Sequence, residues 1–316
     1  LTKYSVLYTA TLLGLKVTST QQASGNALMH LKKYLTCLKN TTHGAEANMF
    51  KTPLKALLLG SALVATSFSA QAQNMHDSWN ALLNKYVVAI NHNHSTEVDY
   101  AAIKREHAQL KTYLDSLTAV TQSEFDAWEK PKQLAFLINA YNAWTVELIL
   151  TKYPDIKSIK DLGSFFSSPW SKEFVPLLGK TRSLDDIEHG LIRGSGKYND
   201  PRIHFAVNCA SIGCPALREE AYTATDLESQ LQEQTVRFLS DMTRNMAQEN
   251  TLSVSSIFKW YGDDFEKGFR GANTLQQFFL QYSDALKLIP AQQKALENDD
   301  MKVKFLDYNW DLNVRH

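Results

Sequence analysis

Between Gln133 and Leu150 the chain reads Gln133-Leu-Ala-Phe-Leu-Ile-Asn-Ala-Tyr-Asn-Ala-Trp-Thr-Val-Glu-Leu-Ile-Leu150. This stretch is apolar nearly all round at helical period. The spacing predicts a helix over Lys132–Tyr153 that sits buried at the centre of the fold, and Pro154 ends it. Inside it sit Asn139, Tyr141 and Asn142. Asparagine is a mediocre helix former and is costly to bury unpaired. Asn139 and Asn142 are three apart and share a face. Either they satisfy loop backbone beside the core or, with Tyr141, they line a site.

Other elements are read from periodicity and turn chemistry. His76–Ile90 and Ala101–Leu117 carry helical spacing, and between them Asn91-His-Asn-His-Ser95 is a polar loop. Thr121 and Glu124 are placed as a helix start. Residues 172–178 and 180–182 flank Gly179 as a hairpin. Ser183 is then a helix cap with Asp185 and Asp186 in the first turn, and the helix runs from Leu184 to Arg193. Asp200–Cys209 reads as a strand entering a tight loop. Its alternation puts Arg202, His204 and Asn208 on one side and Cys209 on the other. Further helices are expected over Thr225–Asp241 and Thr274–Tyr282, with strands at Leu252–Val254 and Lys302–Trp310. Helices dominate and strands are short and late, so the class is α+β: a single domain with a helical layer around a small, mainly antiparallel sheet.

The segment Met49-Phe-Lys-Thr-Pro-Leu-Lys55 is basic, Ala56–Phe68 is apolar, and Ser69-Ala-Gln-Ala-Gln73 comes next. These parts match a secretory signal peptide over 49–72, cut after Ala72. The apolar run is short for a membrane span, which takes roughly 20 residues. The expected protein is therefore periplasmic or secreted, a domain spanning 73–316, with no membrane association after cleavage. Residues 1–48 are read as translation from upstream of Met49. The whole chain carries 33 basic and 33 acidic residues. Removing seven Lys and Glu46 with residues 1–72 leaves 26 basic and 32 acidic, a net charge of −6. Nucleic-acid binding needs basic patches, so a nucleic-acid partner is not expected.

Removal of Cys37 with the leader leaves Cys209 and Cys214. In an oxidising compartment the pair is a disulfide candidate, and it is also a candidate for thiol chemistry. A cysteine nucleophile needs an imidazole, an orienter for that imidazole and oxyanion donors. His189 with Glu188 supplies the first two. His204 is a second histidine, on the face away from Cys209 if the strand is regular. The backbone amides of 210–213 supply donors. Arg193 and Arg202 suit a substrate carboxylate. No cofactor or metal is expected: two cysteines do not fill a zinc site, and His92 and His94 have no acidic or Cys partners nearby.

Several runs together resemble the domain-of-unknown-function 547 family. They are Phe136-Leu-Ile-Asn-Ala-Tyr-Asn-Ala143, Leu184-Asp-Asp-Ile-Glu-His-Gly-Leu-Ile-Arg193 and Pro201-Arg-Ile-His-Phe-Ala-Val-Asn-Cys-Ala-Ser-Ile-Gly-Cys-Pro215. Ser256-Ile-Phe-Lys-Trp-Tyr-Gly-Asp-Asp-Phe265 and Leu306-Asp-Tyr-Asn-Trp-Asp-Leu-Asn313 look like its closing motifs. The resemblance covers roughly 98–313. It implies a single domain and brings no reaction with it. The expected activity is that of a cysteine-nucleophile hydrolase or acyl/thiol transferase acting on a small or peptide-like substrate. Cys209 is the nucleophile, His189 the base, Glu188 its orienter and His204 a further candidate. Arg193, Arg202, Asn139, Asn142 and Tyr141 hold substrate. The alternative is a non-catalytic exported binding domain with a structural Cys209–Cys214 disulfide.

Overall fold

The computed structural model describes residues 75–164 and 167–315. The export signal read at 49–72 and the leader at 1–48 lie outside the described residues. Helix α1 (Asp77–Tyr86) buries Trp79, Leu82, Leu83 and Tyr86 on one face. The sequence extends this helix to Ile90, but the chain becomes a strand at the β-branched pair Val87-Val88. Asn91, His92 and Asn93 all take left-handed backbone angles, a conformation that asparagine tolerates. They turn β1 (Val87–Ile90) back onto β2 (Ser95–Val98) as an antiparallel hairpin. The helix read over 101–117 is two, α2 (Tyr100–Arg105) and α3 (His107–Thr118), broken at Glu106. The short α4 (Gln122–Asp126) is capped as expected, the Thr121 hydroxyl accepting the Glu124 N–H at 3.2 Å.

Helix α5 (Lys130–Leu150) is the buried centre that its composition requires. From Gln133 to Leu150 every residue is buried except Glu147, whose carboxylate meets His107 of α3 at 2.7 Å. A buried large apolar side chain here contributes about 1.5–3 kcal/mol, so truncating fully buried Leu137 to alanine costs about 2–5 kcal/mol. Helices α1 to α5 and the segments up to Leu231 share this first core.

Strands β3 (Val175–Leu177) and β4 (Lys180–Arg182) form the expected hairpin, turning through Leu178 and Gly179 at positive φ. The Ser183 cap is present in reciprocal form. Its hydroxyl accepts the Asp186 N–H at 3.0 Å, and the Asp186 carboxylate accepts the Ser183 N–H at 2.8 Å. The helix that begins there, Asp186–Arg193, is a π-helix rather than an α-helix. The Gly194 N–H closes onto the His189 carbonyl at 2.8 Å, five residues back. The expected strand over 200–209 is also replaced. Asp200 caps and Pro201 opens a 3-10 turn, Pro201–Phe205, because proline at the first helical position is preorganised for it. The strand alternation therefore does not apply, and His204 and Cys209 are not held on opposite faces.

Helix α6 (Leu227–Leu239) leads to β5 (Met246–Gln248) and β6 (Thr251–Val254), then the short helices α7 (Ile257–Trp260) and α8 (Gly262–Phe265). Helices α9 (Leu275–Leu280) and α10 (Pro290–Glu297) precede β7 (Lys302–Phe305), which stops well before Trp310. β5 and β6 are antiparallel, and β7 joins β6 in parallel. The class is α+β, with the strands of the described residues divided among three small sheets. Phe205, Phe258, Phe265, Phe278 and Phe279 build a second, aromatic core. Its rings are offset or edge-on, with centroids 4.8 Å apart for Phe258–Phe279 and for Phe265–Phe278.

Candidate functional site

A cleft of about 260 Å³ draws its walls from both cores. One wall is aromatic. Trp310 lies 4.5 Å from Tyr308, 5.6 Å from Trp170 and 5.7 Å from Trp260, centroid to centroid. The facing residues are Tyr141 of α5, Asp185, Glu188 and His189 at the π-helix, His204 of the 3-10 turn and Tyr261. Val207, Cys209, Cys214, Pro215 and Ile257 complete the lining. Among the described residues it contains two carboxylates and no lysine or arginine.

Cys209 and Cys214 form a disulfide with Cα atoms 6.1 Å apart. Of the two, Cys209 is partly exposed and Cys214 is buried. The loop between them is tied down on both sides. Asn208 accepts the Ala210 N–H at 2.9 Å and donates to the Pro215 carbonyl at 2.7 Å. The Ile212 and Gly213 N–H groups donate to the carbonyls of Asp311 and Asn309, both at 2.8 Å. The amides of Ala210, Ile212 and Gly213, read from sequence as oxyanion donors, are thus already spent within the protein. Gly213 is required here because a Cβ would stand 2.8 Å from the Tyr308 ring. Without a Cβ in the way, the Tyr308 hydroxyl reaches both sulfurs at 3.3 Å.

His204 is buried and stacked on Tyr261, centroids 4.1 Å apart. Its Nε2 meets Asp264 at 2.8 Å. The same carboxylate takes Arg193 Nε at 2.6 Å and Lys267 Nζ at 2.8 Å. Burial pushes the Asp264 carboxyl up, but these three hydrogen bonds outweigh it and hold the group well below the usual carboxylate range. Burial also lowers the His204 imidazole, against the opposing effect of Asp264. A neutral ring that donates Nε2–H to an ionised carboxylate keeps its lone pair on Nδ1. That atom is buried with no hydrogen-bond partner among the described residues.

His189 is arranged in the opposite sense. Its Nδ1 lies 2.7 Å from an Arg193 guanidinium nitrogen, which can only donate, so the His189 lone pair is occupied. Glu188 stands 3.9 Å from that nitrogen, too far to orient it by a hydrogen bond. The carboxylate instead neighbours two phenols. Burial first, and Glu188 second, push the Tyr141 and Tyr261 hydroxyls well above the ordinary tyrosine range.

The remaining sequence candidates lie off the cleft. Arg202 is buried in a fork with Glu228, at 2.6 and 2.8 Å, and also bonds Asp200. Arg193 serves Asp264 and His189 and packs on Tyr261 at 4.7 Å. Asn139 donates to the Tyr222 carbonyl at 2.8 Å and accepts its N–H at 3.0 Å. Asn142 donates to the Ala206 carbonyl at 3.0 Å and accepts the Asn208 N–H at 2.8 Å. Both amides therefore satisfy loop backbone, and Asn142 anchors the segment that leads into Cys209. Reading the sequence missed Asp185, Asp264, Tyr308 and the tryptophans as site residues. For Asp264, Tyr308, Trp260 and Trp310 the signal lay in the aromatic–acidic runs Trp260-Tyr-Gly-Asp-Asp264 and Asp307-Tyr-Asn-Trp310.

Residues 125–239 match the family described as "Protein of unknown function, DUF547". The matched segment holds Asn139 through Cys214 and ends before Asp264, Tyr308 and Trp310. No curated protein and no solved structure matches the chain.

Proposed function

We propose that this protein, which carries a DUF547 domain over residues 125–239, is an exported cysteine-dependent hydrolase or acyl/thiol transferase acting on a small or peptide-like substrate. The observation that carries the reading is the Asp264–His204 pair, which leaves the buried His204 Nδ1 without a partner among the described residues, on a histidine that lines the same cleft as Cys209. With the disulfide reduced, His204 takes the Cys209 proton. The thiolate then adds to a substrate carbonyl, and the imidazolium returns the proton to the leaving group. Water or an acceptor thiol releases the acyl group from Cys209 in a second passage of the same kind. Asp264 stabilises the imidazolium as it forms. The aromatic wall gives the substrate a stacking face. The charge pattern of Met49–Ala72 supports export, and an intact mass beginning at Gln73 is the expected result for protein recovered outside the cytoplasm.

The test is the pH dependence of iodoacetamide labelling at Cys209 after mild reduction, mapped by mass spectrometry. The expected thiol titrates below the ordinary cysteine value of about 8.5. His204→Ala and Asp264→Asn should both move it back up and slow labelling. A reduced Cys209 that titrates like free cysteine and ignores both substitutions would sink the reading.

A second reading has the closed disulfide in its favour: a non-catalytic exported binding domain in which the aromatic cleft holds a ligand. Free-thiol counting on freshly exported protein separates the two. A pool with reducible Cys209 favours the enzyme. A pair that stays oxidised under native reduction favours the binding domain.

A further inference from the structure

We infer that the Cys209–Cys214 disulfide is itself an exchange site for a small aminothiol, with Cys209 as the attacked sulfur and Cys214 as the leaving thiolate. The inference rests on the enzyme reading only for its consequence, the release of Cys209 for catalysis. The exchange chemistry stands on separate observations.

The two sulfurs are not equivalent. Both residues line the cleft, but Cys209 is partly exposed as a residue, whereas Cys214 is 3 % exposed. An incoming thiolate therefore reaches Cys209. Cys214 then has to leave carrying negative charge, which its burial opposes and the donors around it offset. The Cys209 backbone N–H points at the Cys214 sulfur from 2.9 Å. The Ser211 and Tyr308 hydroxyls stand 3.3 Å from it. The hydroxyls also reach the Cys209 sulfur at 3.3 Å, but among the described residues no backbone N–H is directed there. Donors that stabilise a thiolate lower its pKa, and a leaving thiol of lower pKa departs faster. The cleft supplies the selectivity. Among the described residues its lining has Asp185 and Glu188, no lysine or arginine, and several aromatic faces, of which Tyr261 already carries Arg193 at 4.7 Å and Trp310 carries Lys160 at 3.8 Å from outside the lining. That combination favours a thiol bearing an ammonium group.

The steps balance. The external thiolate forms a bond to Cys209 Sγ, and the 209–214 bond breaks with its electron pair going to Cys214 Sγ. A second aminothiol then attacks the sulfur of the first. The two leave together as the external disulfide, and Cys209 is released as the thiolate. The aminothiol is the reductant, oxidised by two electrons overall.

The experiment incubates the oxidised full chain with cysteamine under native conditions, quenches with acid and maps adducts by mass spectrometry. The probe's adduct is expected on Cys209 alone, with Cys214 free for alkylation. Ser211→Ala and Tyr308→Phe should each slow its formation by about tenfold, the factor equivalent to 1.4 kcal/mol of barrier. Cysteamine should outpace 3-mercaptopropionate at equal thiolate concentration. An adduct on Cys214, rates indifferent to both substitutions, equal rates for the two thiols, or exchange seen only in denaturant each overturn the proposal. The readout is an adduct mass and needs no turnover, so failure of acyl transfer leaves this test intact.

Discussion

The central helix and the cleft bury polar side chains to the same degree and use them differently. Asn142 on α5 and His204 on the 3-10 turn are both 2 % exposed. Asn142 bonds through both ends of its amide to neighbouring backbone. His204 spends one nitrogen on Asp264 and leaves the other without a partner among the described residues. Full satisfaction marks a part that holds shape. Unused bonding capacity beside a cavity marks a place where a ligand or a reaction can supply the missing partner. Arg202 and Arg193 repeat the contrast. The first is closed in a fork with Glu228, and the second supports the residues that face the cleft.

The largest expected effect lies on the satisfied side. Asn142→Ala strands the Ala206 carbonyl and the Asn208 N–H, at about 1–3 kcal/mol for each buried group. Urea unfolding should show a total loss of about 2–6 kcal/mol. His204→Phe should lose less, because Asp264 keeps Arg193 and Lys267. The reverse order would break the comparison. The Cys209→Ser/Cys214→Ser pair should cost about 2 kcal/mol, the chain-entropy value for a loop this short, measured against untreated oxidised protein.

Acid should expose the buried imidazoles next. Burial, with help from Lys132, lowers His76 to about 4, and its Nδ1 bonds the Tyr113 hydroxyl at 2.7 Å. A histidine held neutral in the fold gains its proton in the unfolded chain first. Stability is therefore level above pH ~6.5 and falls as the pH drops from there towards ~4. At pH 5 the His76 part should approach 1–2 kcal/mol, on the order expected from the shift, and His204 adds to it in the same direction. His76→Gln should flatten that slope in urea titrations between pH 7 and 5. The smallest stability change belongs to Trp260→Ala. This tryptophan is 45 % exposed, so unfolding should move by no more than about 0.5 kcal/mol. Its removal should still weaken any ligand-induced change in tryptophan fluorescence.

Much of the fold was legible where one short segment carries the whole cause. The apolar surround of residues 133–150 made α5 central, Leu178-Gly179 made a hairpin, and Ser183 with Asp186 made a cap. The misreadings came where two local tendencies compete. Asp200-Pro201 overrode a strand alternation, and Val87-Val88 ended a helix whose apolar spacing ran on. At the site, Cys209, His204, His189, Glu188 and Tyr141 are legible in the sequence and do meet at one cleft. Their pairings were not legible. Adjacency to Glu188 in sequence favours His189 as the base, yet its lone pair faces Arg193.

By itself, the sequence determined the α+β class, the buried central helix and the asparagines on its face, because burial and capping act over a few residues at fixed spacing. Tertiary structure alone decided that Asp264 orients His204 across 60 residues and that Tyr308 reaches Cys209 across 99. It also decided that Arg202 serves Glu228 rather than the cleft. A hydrogen bond depends on what stands within about 3 Å, and periodicity reports only which face is buried. The neighbour that completes a buried polar group is set by how distant loops close.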